Sequence, residues 1–309
     1  MKNYRIAVLG STGVVGREMI RLIEAGGIPA ELVPLGSARS AGSTIEFHGE
    51  PVTVREATGN SFFGADFVLG AAKNAVARLF APAIAESGAV FIDNSSAFRL
   101  MDDVPLVVPE INSDHFKVID DQRRRLGTKR GFIAVKPNCS IQSYVPMLTP
   151  LRKYGIKQVV VSTYQAISGA GKTFREWPEM LDNVIPYIGG EEEKSEKEPL
   201  RVWGRYENGT IVPADDTVIT SQCIRVPVTD GHTATVFVNF ENKPTKEQIL
   251  NDWKNFSGLP QELGLPHAPE HFITYFEEND RPQIKSERNL ENGMAISIGR
   301  LREDTQYDY

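Results

Sequence analysis

Three pieces of this chain carry side chains whose types and spacing could do chemistry. They are the run Pro137-Asn138-Cys139-Ser140-Ile141-Gln142, the glycine-rich turn Ser168-Gly169-Ala170-Gly171, and the pair Arg225 and His232. A thiolate is a strong nucleophile, and a neutral imidazole can take its proton and later return one to a leaving group. The planar fork of an arginine grips a carboxylate through two parallel hydrogen bonds. Each residue alone is more often structural; together, behind a nucleotide-binding pattern that opens at Gly10, they point to acyl transfer to sulfur coupled to hydride transfer. Cys139 falls at the expected start of a helix running to about Lys153, with Pro146 restricting or kinking it. A helix N-terminus lowers a thiol pKa and offers amide donors to an oxyanion. Arg225 precedes His232 by seven residues and is expected to face the same cleft across a hairpin-like turn. His48, His115, His267, His271 and Cys223 have no such company and read as structural.

The elements that would position these groups begin with a buried strand at 5–9, then Gly10-Ser11-Thr12-Gly13-Val14-Val15-Gly16, then a helix ending at Gly26-Gly27. In a strand–turn–helix setting the first glycine allows the tight turn, the second lets backbone approach a pyrophosphate, and the third lets helix pack on strand. The helix N-terminus supplies N–H donors and the positive end of its dipole. The next strand, 31–36, leads into Ser37-Ala38-Arg39-Ser40, where an NAD-binding chain would carry an acid for the ribose 2′-hydroxyl. Two hydroxyls and an arginine suit a 2′-phosphate instead, so NADP is the expected cofactor.

Further strands are expected at 66–72 and 89–93, an extended stretch at 104–112, and a solvated basic loop at 120–130. Alternating strands and helices of this kind give an α/β, Rossmann-like, doubly wound parallel sheet. Beyond Cys139 the pattern changes to strands at 157–163, 223–228, 233–240 and 294–300, with a polar segment at 191–198. A helix at 246–256 is opened by a capping box, Thr245 with Gln248. That half reads as an α+β domain with a mostly antiparallel sheet. The expected division is 1–137 for nucleotide binding and 138–309 for catalysis and dimerisation.

Composition narrows the partners. Of 309 residues, 34 are Lys or Arg and 40 are Asp or Glu, a formal charge of -6, so there is no basic excess for nucleic acid. No apolar run approaches the ~18 residues of a membrane span. Two cysteines far apart, without CxxC spacing, argue against a metal site and for a reducing, cytoplasmic setting.

Across nearly its whole length the chain resembles the aspartate-β-semialdehyde dehydrogenases. Residues 10–16, 37–42, 94–99, 108–112, 137–140, 162–171, 183–194, 225–232 and 292–300 carry the likeness. The first half is similar to the common bacterial form, and 183–194 is closer to the archaeal and fungal branch. The resemblance implies NADPH-dependent reductive dephosphorylation of L-β-aspartyl phosphate through a cysteine thioester, in the biosynthesis of lysine, threonine and methionine. It implies Cys139 as nucleophile, His232 as general acid/base and Gln165 as the residue that positions substrate at the thiol. It places Arg225 and Glu192 on the substrate carboxylate and ammonium, Arg99, Asn138 and Lys194 at the phosphate, and Ser168 and Gly169 near the nicotinamide. It also implies a homodimer or homotetramer. Members of this family usually continue past 296–300 into a helix that packs on the nucleotide domain; without it, an exposed apolar patch and altered cofactor affinity are expected. The alternatives are another acyl reductase of the same architecture, of the malonyl-CoA or N-acetylglutamyl-phosphate kind, or a catalytically silent NADP-binding protein.

The charge pattern makes a testable statement about Arg39. Arg39→Asp should weaken NADP relative to NAD, because it exchanges a phosphate partner for a ribose partner. An unchanged ratio of the two dissociation constants would remove Arg39 from the site.

Overall fold

Short, almost wholly apolar strands separated by helical segments need burial on both faces, and a parallel sheet provides it. The computed structural model describes residues 2–309 and divides into two compact units. The first takes the chain up to Val107, then Asp114–Pro137 and Arg205–Val212; the second takes Val108–Ser113, Asn138–Gly204 and Pro213–Tyr309. The chain passes into the second unit immediately before Asn138 and Cys139, and two short stretches, 108–113 and 205–212, depart from a simple division at that point.

In the first unit the strands of the main sheet are β1 (Tyr4–Leu9), β2 (Ala30–Gly36), β3 (Arg55–Glu56), β4 (Phe67–Gly70), β5 (Val90–Asp93) and β6 (Phe132–Val135). They form one parallel sheet in the order β3-β2-β1-β4-β5-β6. The chain winds outward from β1 in one direction and from β4 in the other. The crevice at the carboxyl ends of β1 and β4 is therefore the topological switch point, where such sheets bind ligands. Helix α1 (Val14–Ala25) lays Ile20 and Ile23 against Ile6, Val8, Leu32 and Phe47 in one buried cluster. Each such side chain contributes roughly 1.5–3 kcal/mol by leaving water. Helix α2 (Asn74–Glu86) follows β4.

Two expectations about this half change. The basic stretch at 120–130 is not a loop but carries helix α3 (Ile119–Leu126). Asp120 and Asp121 stand in its first turn and Arg123, Arg124 and Arg125 in its last, which complements the helix dipole, and Gly127 closes it in the left-handed conformation (φ 68°). Of the stretch at 104–112, only Leu106 bridges to Val135 as a strand would; Pro109–Asn112 is a helical turn. Proline tolerates a first-turn position because no N–H is needed there, and Asn112 Oδ1 accepts the Val108 N–H at 2.9 Å.

The second unit is built on β7 (Ile156–Gln165), β8 (Val218–Arg225) and β9 (His232–Phe240), in the order β8-β7-β9. The sheet expected to be mostly antiparallel is mixed: β8 runs parallel to β7 and β9 antiparallel to it. A separate parallel pair joins β10 (Ile273–Phe276) to β11 (Ile296–Gly299). The polar run at 191–198 is the start of helix α4 (Glu191–Val202), whose first-turn glutamates suit the dipole. The long helix expected after Cys139 does not form. Tyr144 leaves helical geometry (φ −135°), and the prolines in the first turns of the next two segments divide the region into Ile141–Ser143, Val145–Leu148 and Thr149–Tyr154. The last residues run beside β9, where the Val238 N–H donates to the Tyr309 carbonyl at 2.9 Å and Tyr309 is buried. Among the described residues no helix is long and apolar enough to cross a membrane, and no three His, Cys, Asp or Glu side chains gather as a metal site.

Helix α5 (Lys246–Lys254) starts with the expected reciprocal cap: the Gln248 N–H donates to Thr245 Oγ1, and the Thr245 N–H donates to Gln248 Oε1. Thr245→Ala should cost about 1 kcal/mol, read as a lower urea midpoint, and Thr245→Ser should recover most of it. An unchanged midpoint in the alanine variant would show that the cap adds nothing to stability.

Candidate active site

Strand pairing explains how residues far apart in sequence meet in the second unit. Gln165 on β7 pairs with Arg225 on β8 and with His232 on β9, so the three stand in one row across the sheet. Arg225 and His232 are thus not joined across a hairpin, as expected, but flank the central strand. The reason is the parallel sense of β8, which makes the 226–231 connection cross the end of β7. Arg225 is buried and its guanidinium donates to the Ala166 carbonyl at 2.6 Å; burial pulls it below its usual pKa.

His232 is oriented from both sides. The Ala166 N–H donates to Nδ1 at 3.1 Å, so that nitrogen carries the lone pair and the neutral ring holds its proton on Nε2. Nε2 lies 3.2 Å from Cys139 Sγ. With its proton on Nε2 the ring presents a hydrogen-bond donor to the sulfur, a contact that favours the thiolate over the thiol. Cys139 is exposed while Asn138 and Ser140 on either side of it are buried. Gly169 is packed under this group: a Cβ there would lie 3.0 Å from the Arg225 guanidinium and 3.3 Å from the His232 ring. Ser168 and Gly169, expected at a nicotinamide, stand beside the Cys139–His232 contact.

The acidic partner is Glu191 rather than the expected Glu192. One Glu191 oxygen accepts from Asn138 Nδ2 (2.8 Å) and Gln165 Nε2 (3.1 Å), and the other accepts from Lys194 Nζ (2.7 Å). Burial raises its pKa, but the bonds from Lys194, Asn138 and Gln165 outweigh that, and the carboxyl lies below its usual value. Glu192 turns toward β8 instead, with its carbonyl accepting the Ser221 hydroxyl and a carboxylate oxygen 3.4 Å from the Cys223 nitrogen. The signal that separates the three adjacent glutamates is helical spacing, since only Glu191 stands three residues before Lys194. Cys223 is buried, as expected, and burial pushes its thiol up.

In the first unit the carboxyl ends of β1 and β4 form a cradle. Gly10 has φ +90°, and a Cβ there would meet the Ala71 carbonyl at 2.9 Å; a Cβ at Gly16 would meet the Gly10 carbonyl at 2.3 Å. Gly13 heads α1 without a side-chain cap, and Thr12, Val14 and Val15 are only partly covered, so the first N–H groups of the helix stay open to an anion. Ser11 differs from the other expected contacts: it is buried, and its hydroxyl and N–H both go to the Leu35 carbonyl, so it fixes the turn. Ser37 and Arg39 are exposed beyond β2, while the Ser40 hydroxyl folds back on the Ser37 carbonyl. A close-packed glycine turn, an open helix N-terminus and an exposed arginine fit a phosphorylated dinucleotide. Arg99 also belongs to this unit, nearly buried, with its guanidinium on the carbonyls of Asn94 and Ser95.

Known proteins match both units. A family model described as semialdehyde dehydrogenase, NAD binding domain, matches residues 5–119, and one described as semialdehyde dehydrogenase, dimerisation domain, matches residues 148–309. Among curated relatives, the aspartate-semialdehyde dehydrogenase of Methanothermobacter thermautotrophicus is 40% identical over 98% of this chain and 90% of its own length. The enzyme of Schizosaccharomyces pombe is 36% identical over 98% and 90%. The crystal structure of aspartate semialdehyde dehydrogenase with NADP from Candida albicans superposes with a TM-score of 0.89 at 30% identity, covering 99% of this chain and 91% of that one. Aspartate semialdehyde dehydrogenase II of Vibrio cholerae, complexed with ASA, gives 0.73 at 28% identity over 99% and 90%.

Proposed function

This chain belongs to the aspartate-semialdehyde dehydrogenase family, and we propose that it carries out the NADPH-dependent reductive dephosphorylation of L-β-aspartyl phosphate to L-aspartate-4-semialdehyde in the cytoplasm. The observation that carries this reading is the 3.2 Å contact of Cys139 Sγ with His232 Nε2, set beside the Arg225–Gln165–His232 row.

Cys139 Sγ attacks the acyl carbon, a C–S bond forms, the bond to the phosphate oxygen breaks and a thioester remains. His232 faces Cys139 through Nε2, because the Ala166 N–H occupies Nδ1, so in this orientation the ring donates to the sulfur rather than taking its proton. The proton on Nε2 supports the thiolate before attack and the developing oxyanion after it. Arg225 takes the substrate carboxylate and Glu191 the ammonium. Gln165, bonded to Glu191, steers the acyl group toward the sulfur. Asn138 and Lys194 neutralise the departing phosphate. Bound NADPH would supply a hydride to the thioester carbonyl; breaking of the C–S bond would then release the aldehyde and restore the Cys139 thiolate. Arg39 and Ser37, with no acid near them in sequence, favour NADP over NAD.

A homodimer, alone or doubled into a tetramer, is the working assembly. The outer face of β8-β7-β9 is open, with Val218 65% exposed and Val160, Tyr164, Ile224 and Phe237 half-buried, a surface suited to a second copy.

The purified chain, given aspartate semialdehyde, NADP and inorganic phosphate, should form NADPH only with phosphate present, and Cys139→Ala should abolish it. NADP binding without turnover would mark a silent relative instead. In the same assay Glu191→Gln should raise the KM for the semialdehyde about tenfold or more, since a charge-assisted bond to the ammonium is lost, while Glu192→Gln should change it little. The reverse order would return the ammonium to Glu192.

A further inference from the structure

Glu191, Ser195 and Glu198 fall at i, i+4 and i+7 along α4 and so share one face. Each binds the short stretch that carries Cys139. Glu191 does so from within the site described above, but Ser195 and Glu198 are 0% and 2% exposed, out of a substrate's reach. Glu198 Oε2 accepts the Asn138 N–H at 2.6 Å. Ser195 Oγ lies 3.2 Å from Ser140 Oγ, and Ser140 donates through both its N–H and its hydroxyl to Asn138 Oδ1.

A third tie has a separate origin. Pro199, inside α4, has no N–H, so the Ser195 carbonyl loses the helical partner it would have one turn on. The Tyr144 hydroxyl donates to that carbonyl at 2.7 Å. Burial lifts the Tyr144 phenol well above its usual pKa, so it stays a donor across the neutral range. The residues on both sides of Cys139 are thus tied to one helix, while Cys139 alone is left exposed.

We propose that Glu198 and Ser195 are positioning residues for the nucleophile, holding the 138–140 turn against α4 so that Cys139 Sγ stays in register with His232 Nε2. The inference rests on the reading of Cys139 as the attacking group. It follows from the geometry of the turn: Glu198 fixes the backbone before the sulfur, Ser195 fixes the residue after it, and the turn has no long helix behind it to do either. A misplacement of about 1 Å at a reacting atom costs on the order of 100-fold in rate.

The test uses the full chain and the phosphate-dependent assay. Glu198→Ala should lower kcat about 100-fold, with the KM for the semialdehyde and the NADP dissociation constant within about threefold of wild type. Glu198→Gln keeps an oxygen for the Asn138 N–H and should recover most of the lost turnover. Ser195→Ala, which removes a single oxygen, should lower kcat about tenfold with the same pattern, and it decides the matter if Glu198→Ala does not fold. The proposal is overturned if folded, NADP-binding Glu198→Ala or Ser195→Ala keeps wild-type kcat, or if Glu198→Gln is as impaired as Glu198→Ala. The underlying reading fails separately, if wild-type turnover survives Cys139→Ala.

Discussion

A one-residue slip of β8 or β9 against β7 would turn Arg225 or His232 to the other face of the sheet. The chemistry of this protein depends on that register. Pairing Gln165 with both Arg225 and His232 brings a guanidinium, an amide and an imidazole to adjacent positions, where the proposed reaction needs them. Alternate residues, Val159, Val161 and Thr163 on β7 with Ile219, Ser221 and Cys223 on β8, are buried on the same side and make the slip costly. The apolar strands therefore hold this row in place. The row also brings the Ala166 N–H to His232 Nδ1, which fixes the tautomer that meets the sulfur.

Beside this row Glu191 is paired with Lys194, while among the described residues the buried Arg225 guanidinium holds only the Ala166 carbonyl. Glu191 is half-buried and keeps its charge because three donors converge on it. Such bonds to a charged group contribute roughly 1.5–3 kcal/mol each, enough to offset the desolvation of a carboxylate that keeps partial contact with water. Lys194 and Glu191 satisfy one another. A substrate bearing both an ammonium and a phosphate offers each of them a new partner, so it can exchange the internal ion pair for two external ones at small electrostatic cost. The dinucleotide cradle rests on a different principle, close backbone approach at Gly10 and Gly16 with the uncapped start of α1.

Much of this was legible from residue types. The first βα turn, the strands at 31–36 and 89–93, the capping box at Thr245 and the burial of Cys223 follow from local pattern, and the partnership of Cys139 with His232 from residue types that make chemical sense only together. What was not legible depended on long-range pairing or on helix phase. Nothing local says that β8 runs parallel to β7, so the seven-residue spacing of Arg225 and His232 suggested a hairpin. Choosing among Glu191, Glu192 and Glu193 requires knowing that a helix begins there, and the polar composition of 191–198 concealed it. The helix expected after Cys139 failed because consecutive proline-bearing segments cannot share one hydrogen-bond ladder. That failure moves the explanation of the nucleophile's setting away from a helix dipole. His232 Nε2 faces the sulfur, and the α4 contacts hold the residues around it.

The most direct test of the central claim is the acyl-enzyme itself. The chain, incubated with aspartate semialdehyde and NADP but without phosphate, would be quenched in acid, digested and examined by mass spectrometry. The account predicts one aspartyl adduct on the peptide carrying Cys139, lost when phosphate is added before the quench. Phosphate-dependent turnover with no adduct, or with the adduct on Cys223, would contradict it.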